Sequence, residues 1–351
     1  LKNVRFSVIQ PYAFQEDGYR FLHGVALEFH KGKLYASFGR NKGGENTDTE
    51  EAHFSVSEDH GRTWSEVRIL DGGHETGIGV SHGVFHSWQG RLWAFLGAYS
   101  GIRKNVHTRA YLLDDITGEW KRMGTILDEG FWPMQQPLKM DDGNWIMSGF
   151  IVGAGNPPAV AISKGDQFLN WDLITIPTAE SVGNLWGEST VIVNGNRIMN
   201  IARYGDEAKA LLSLSNDFGR TWTPSRPSNL PMATSKPFTG RLSTGQNYLI
   251  CSTSAEGGKR RSPLTIAVSR PNEEVFSKVF IIRDALFPDG PGESHEAARL
   301  GYPYAIEHDG YLYVGYSNNG GNAGRSGTGR ELMNNNSAEL AVIPISELQE
   351  W

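Results

Sequence analysis

The sequence predicts an all-β protein built as a six-bladed β-propeller. Three observations carry this reading. A hairpin pattern recurs six times along the chain. An octet of the form Ser-x-Asp-x-Gly-Arg-Thr-Trp occurs twice, in SEDHGRTWSE at 57–66 and in SNDFGRTWTP at 215–224. The composition, with 42 glycines, 16 prolines and 10 tryptophans, fits a turn-rich β protein rather than a helical one.

The hairpins follow one design, a few apolar residues, a glycine turn and an alternating strand. In order they read VALEFHKGKLYASFG, VFHSWQGRLWAFLG, LKMDDGNWIMSGF, TVIVNGNRIMNIAR, FTGRLSTGQNYLICS and YAIEHDGYLYVGYS. Their turn glycines are Gly32, Gly90, Gly143, Gly195, Gly245 and Gly310, 50 to 65 residues apart. Glycine is placed there because tight hairpin turns demand positive φ. A period of about 50 residues suits four strands per blade. The chain is therefore read as a single propeller domain over 1–351, its last blade closed by pairing VRFSVIQ near the N-terminus with AELAVIPI near the C-terminus. Such closure removes exposed sheet edges.

The octets follow the first and fourth hairpins by about 20 residues. That places them on the turn between the two outer strands of blades 1 and 4. Weaker copies stand in LLDDITGEW (112–120) and SKGDQFLNW (163–171). An Asp that accepts backbone N–H groups, a Gly with positive φ and a packing Trp make a structural device. Asp59 and Asp217 are accordingly read as structural.

Several function classes are disfavoured. The net charge is −6 and no basic stripe occurs, so no nucleic-acid partner is expected. No apolar run is long enough for a spanning helix, so no membrane insertion is expected. A single cysteine, Cys251, excludes an internal disulfide framework and a cysteine-based zinc site. The run GRSGTGR at 324–330 lacks the Lys-Ser/Thr ending of a phosphate loop and reads as a surface loop.

In a propeller the innermost strands surround the axis. The residues just before them are His23, His82, Gln136, Glu188, Lys236 and Tyr302. All six are polar while the strands that follow are apolar, so they predict a site on the axis. His23, His82 and His86 offer imidazoles to a divalent cation, but no third ligand stands at a diagnostic spacing. No metal and no cofactor is expected.

The repeated octets in a six-bladed pattern resemble the Asp-box (BNR) repeats of the sialidase (neuraminidase) superfamily. The resemblance implies a tyrosine nucleophile activated by a glutamate, since a carboxylate nucleophile would be repelled by the sugar's own carboxylate. Tyr302, opening the last hairpin, resembles the nucleophile. Glu188 and Arg203, in GESTVIVNGNRIMNIAR, resemble the activating glutamate and one carboxylate-binding arginine. Arg261 in GGKRRSPLTIAVS resembles another clamp arginine, with Arg260 as the adjacent alternative. Arg40 resembles the arginine before the acid loop; the acid is then Asp48, with Glu45 and Glu50 as rivals. His23, His82, Gln136 and Lys236 would complete the substrate site.

One departure stands out. The superfamily's first clamp arginine corresponds to Arg20 by the look of YRFLHGVAL, but to His23 by counting back from the Gly32 turn. Strand period fixes side-chain direction, which favours His23. The resemblance thus implies an exo-acting, secreted or periplasmic glycosidase on an acidic oligosaccharide or polysaccharide, any leader having been removed. An alternative resemblance is to propeller polysaccharide lyases of the ulvan or rhamnosyl-glucuronate type, with His23 or Tyr302 as base, or to a glycosidase that uses a lone His. A third reading is a non-catalytic glycan-binding propeller.

Overall fold

The computed structural model describes residues 1–73, 75, 77–183, 185–205, 207–253, 260–319 and 336–349. The run 324–330 lies outside them. The described residues form six separate antiparallel sheets, as the hairpin count predicts. Blade 1 is Phe21–His30, Lys33–Asn41, Glu50–Ser57 and Arg68–Asp71; blade 2 is Ile78–Trp88, Arg91–Ser100, Lys104–Leu113 and Trp120–Leu127. Blades 4 and 5 begin with Ser189–Asn194 and Phe238–Arg241. Blade 6 runs from Arg299–His308 through Tyr311–Asn319 and Asn336–Pro344 to Arg5–Gln10, which is its outermost strand. The N-terminal strand pairs antiparallel with the C-terminal one, Arg5 opposite Val342 and Ser7 opposite Leu340, so the ring closes as the sequence predicts. Among the described residues no helix is long and apolar enough to cross a membrane.

Blade 3 departs from the pattern. Its inner strand is split into Phe131–Pro133 and Leu138–Lys139, both paired to Trp145–Ile151. The gap lets Gln135 turn inward. Its side-chain amide donates to the carbonyls of Val191 and Thr239 and accepts from Ser148 Oγ and the Val191 N–H. One fully buried glutamine thereby ties blades 3, 4 and 5 together. All of its polar capacity is used, which is what makes its burial tolerable.

The Asp-box turns behave as the sequence predicts. Asp59 Oδ1 accepts the N–H groups of Arg62 and Thr63 at 3.0 and 2.8 Å, while Oδ2 takes the Thr63 hydroxyl at 2.6 Å. Asp217 repeats these bonds with Arg220 and Thr221. Donors converging on each carboxylate favour its charged form, holding Asp217 down to about 2. Gly61 closes on the Leu340 side chain of blade 6, where a Cβ would come within 2.4 Å, so the turn also packs against a neighbouring blade.

Candidate active site

Three inner strands carry a register shift at the same level. It falls between His23 and Ala26 in blade 1, between Val80 and Gly83 in blade 2, and between Gly301 and Tyr304 in blade 6. A bulge of this kind re-aims side chains out of the pleat. Here it gathers His23, His82 and Tyr302 from three adjacent blades. The His23 ring lies 3.6 Å from that of Tyr302 and 5.3 Å from that of His82, centroid to centroid. Tyr302 itself has φ 55°, uncommon for a non-glycine residue and often a mark of function. Gly24, at φ 68°, completes the blade 1 bulge. A Cβ there would fall 1.8 Å from the His82 ring, so only glycine leaves room for that histidine.

Blades 4 and 5 supply the rest. Glu188 stands just before Ser189–Asn194 and Arg203 just after Arg197–Ala202, joined by the Arg203 N–H to the Glu188 carbonyl at 3.0 Å. The Tyr302 hydroxyl donates to Glu188 Oε1 in a short hydrogen bond. Arg203 Nη1 donates to Glu188 Oε2 at 2.7 Å and to the Tyr302 hydroxyl oxygen at 3.3 Å, while its Nε donates to Thr234 Oγ1 at 3.1 Å. Burial and the Glu188 carboxylate push the Tyr302 phenol well above its ordinary value; Arg203 and Arg261 pull it the other way. Arg261 is anchored to the Thr234 carbonyl at 3.1 Å, with its guanidinium 5.7 Å from the Tyr302 ring centre. Burial brings it down to about 10. Its Nε is buried with no partner among the described residues, and so are both ring nitrogens of His23. Unpaired buried donors of this kind mark a place where a ligand is expected.

The two histidines are neutral. Burial lowers His23 far below its usual value, and His82, Arg261 and Arg203 add to that. His82 is lowered to about 3 by burial and by Lys236. Trp132 Nε1–H donates to His82 Nδ1 at 3.2 Å and to the His82 carbonyl at 2.9 Å, which places the remaining imidazole proton on Nε2.

Lys236 takes a different place from the one its sequence position implies. Its Nζ donates to the Pro303 carbonyl at 2.6 Å, against the rings of Phe238 and Tyr304. It thus braces the strained Tyr302–Pro303 bulge from blade 5. Burial lowers it from 10.5 to about 7. An unfolded lysine holds its proton up to about pH 10.5, so between pH 7 and 10.5 the unfolded chain binds more protons and folding stability rises with pH. Below pH 7 this contribution is flat. Chemical denaturation of wild type and Lys236→Met is expected to show the wild type gaining roughly 2–5 kcal/mol on the variant between pH 6 and 10. A difference independent of pH would contradict the buried, titrating lysine.

Other sequence-derived candidates fall elsewhere. Arg40 is bound to Asp17 in a short ion pair and stacks 4.0 Å from the Tyr19 ring centre; among the described residues no hydrogen bond or ion pair joins it to Tyr302 or Glu188. Arg20 is exposed and lies over Phe14, so the register count to His23 agrees with the structure and the motif's look does not. Gln136 is half-buried with its Oε1 unpartnered, and Arg260 is exposed. Asp48 is exposed, its carboxylate near Gly77. Glu50 is buried, accepts from Ser81 and Tyr99, and is raised to about 7 by burial. Glu45 is exposed, yet its charge is felt at Arg203, Tyr302 and Arg299. His86 does not join His23 and His82: it packs between Trp145 and Phe168, 4.6 and 4.9 Å away. The sequence reading missed Arg299. Half-buried three residues before Tyr302 on the same strand, it lowers Arg261 and is itself lowered by burial and by Arg203. Three guanidinium groups therefore share one neighbourhood around a Tyr–Glu pair.

A family model for the BNR repeat-like domain matches residues 42–314, well over half of the sequence. The chain belongs to that family. Solved structures share the six-bladed sialidase-type fold at low identity. A protein of unknown function from Dyadobacter fermentans is similar with TM-score 0.72 and 16% identity, over 98% of this chain and 100% of that one. A Hadza microbial sialidase is similar with TM-score 0.73 and 13% identity, over 97% of this chain and 69% of its own. The NanB sialidase of Streptococcus pneumoniae gives TM-score 0.72 and 10% identity, over 97% and 71%. At these identities the likeness is one of fold. A search of the curated proteins finds no match.

Proposed function

We propose that this BNR-family chain is a retaining glycoside hydrolase that removes a terminal, carboxylate-bearing sugar. The observation that carries the reading is the hydrogen bond from the Tyr302 hydroxyl to Glu188, with Arg203 bonded to both. The Tyr302 phenol is too weak an acid to ionise alone, so its proton passes to Glu188 as its oxygen attacks the anomeric carbon. An aryl glycoside link forms between the Tyr302 oxygen and the anomeric carbon as the leaving group departs with a proton from the loop acid. Water then attacks that carbon, giving its proton to the same carboxylate while Glu188 returns its proton to the departing Tyr302 oxygen. Arg203, Arg261 and Arg299 supply the positive field for the substrate carboxylate, Arg through its planar fork. His23 takes the place of one clamp arginine and, being neutral, adds hydrogen bonding rather than charge.

The acid comes from the loop over residues 42–49. Asp48 is the residue expected from sequence, while the field of Glu45 reaches Tyr302 and Arg203. Glu45→Gln is expected to lower turnover about 10²-fold on substrates with poor leaving groups and little on activated aryl glycosides. Asp48→Asn showing that pattern instead would move the role to Asp48.

A second reading has one observation in its favour. A neutral, buried imidazole with both nitrogens unpartnered, pressed against Tyr302, is also what a proton-abstracting lyase would use on a uronic acid. It expects His23→Ala to abolish turnover and the product to carry a new C=C bond.

A further inference from the structure

The two Asp-box octets differ at two positions that their structural role leaves open, Glu58/Asn216 and His60/Phe218. His60 and Phe218 occupy the same left-handed backbone position, φ 57° and 59°. Phe218 packs against the apolar cluster of Met140, Ile146 and Ile198. His60 is exposed and faces the hairpin turn of blade 6, where His308 and Asp309 stand. One ligand atom from each of the three lies within 4.8 Å of the others.

The donors are held from several sides. The His308 ring stacks on Phe29 at 3.7 Å between centroids and 16° between planes. Its Nε2 is 3.3 Å from Asp309 Oδ2. The Tyr313 hydroxyl lies 3.5 Å from His60 Nδ1. The turn sets the Asp309 backbone at φ 46°, and its side chain is 72% exposed.

We propose that His60, His308 and Asp309 form a binding site for a divalent transition-metal ion of the zinc class. Two imidazoles and one carboxylate are borderline donors that suit zinc, copper or nickel and not calcium or magnesium, which prefer all-oxygen shells. Three protein ligands leave a fourth position to water. Around an ion at roughly 2 Å, the donors close to about 3.3 Å from one another, a movement that small side-chain rotations provide. The Arg5 guanidinium donates to the His60 carbonyl at 2.6 Å, so a positive charge already stands nearby and weakens the site. The affinity is therefore below that of a closed structural zinc centre. An ion here links the blade 1 turn to the inner hairpin of blade 6, beside the strand that closes the ring. Six residues, roughly 20 Å of strand, separate His308 from Tyr302, so the site is independent of the chemistry proposed above.

The test uses chelator-treated full-length protein and zinc chloride, with wild type, His60→Phe and His308→Gln. His60→Phe copies the second Asp box, which guards against a folding artefact, and metal-free melting of all three proteins checks this. Competition against a chromogenic chelator is expected to find one zinc equivalent in the wild type, weakened at least tenfold in both variants. Zinc is expected to raise the wild-type Tm by roughly 2–4 °C and to leave the variants unmoved, with magnesium inert throughout. Equal zinc stoichiometry and affinity in all three proteins, or no zinc bound by the wild type, would overturn the assignment.

Discussion

Replacing Tyr302 by phenylalanine is expected to lower turnover of the true substrate by roughly 10²- to 10⁴-fold, and Glu188→Gln to do the same. Both losses follow from one geometry. The phenol donates to Glu188 and accepts from Arg203, so the proposed nucleophile, its proposed base and a counter-charge stand in direct contact. Tyr302→Phe removes the attacking oxygen but leaves Glu188 paired to Arg203, so stability changes by only about 1 kcal/mol. Glu188→Gln keeps the shape and removes the base. Steady-state kinetics beside denaturation curves check the pair. Full activity in both variants on the true substrate would be incompatible with the Tyr–Glu mechanism. Full loss in His23→Ala, with Tyr302→Phe still active, would instead select the eliminating histidine.

The second large effect is on folding. The Arg203 and Glu188 side chains are 14% and 5% exposed. Arg203→Met strands a buried carboxylate that keeps, among the described residues, the Tyr302 hydroxyl as its hydrogen-bond partner, at an expected cost of about 3–5 kcal/mol. On the proposed mechanism activity is expected to be lost as well, because one of the guanidinium groups facing the substrate carboxylate is removed. The double variant Arg203→Met with Glu188→Gln recovers most of the stability and none of the activity, since a neutral amide needs no counter-charge. A double-mutant cycle by chemical denaturation reads this directly. Additive losses would mean that the two side chains do not depend on each other.

How much of this was legible in the sequence follows from what each feature depends on. Hairpins and Asp boxes are local: a turn needs its glycine, and an octet needs its Asp, Gly and Trp within one turn. The ring and its closure could therefore be read from spacing. Of the six polar residues expected just before the inner strands, His23, His82, Glu188 and Tyr302 do come together, but of these only Glu188 stands before its strand; His23, His82 and Tyr302 lie inside theirs, at the bulges, and Lys236 turns to the Pro303 carbonyl. The bulges that aim His23, His82 and Tyr302 are not local, since they exist only in the register between two strands. Gln136 was expected in the site, yet Gln135 is the residue that ties blades 3, 4 and 5 together, for the same kind of reason, a gap in the blade 3 inner strand that no period announces. Arg299 was overlooked because the blade 6 inner strand starts before the hairpin pattern does. Arg40, named by its resemblance to the arginine before the acid loop, lies near the end of Lys33–Asn41, and Asp17 and Tyr19, brought in by the segment before blade 1, take its guanidinium.

The most direct measurement is mass spectrometry of products after the protein is incubated with a pool of acidic glycans. The account predicts products that sum to the substrate plus one water, with Tyr302→Phe giving none. Products that sum to the substrate alone, one of them unsaturated, would contradict it and assign the site to elimination.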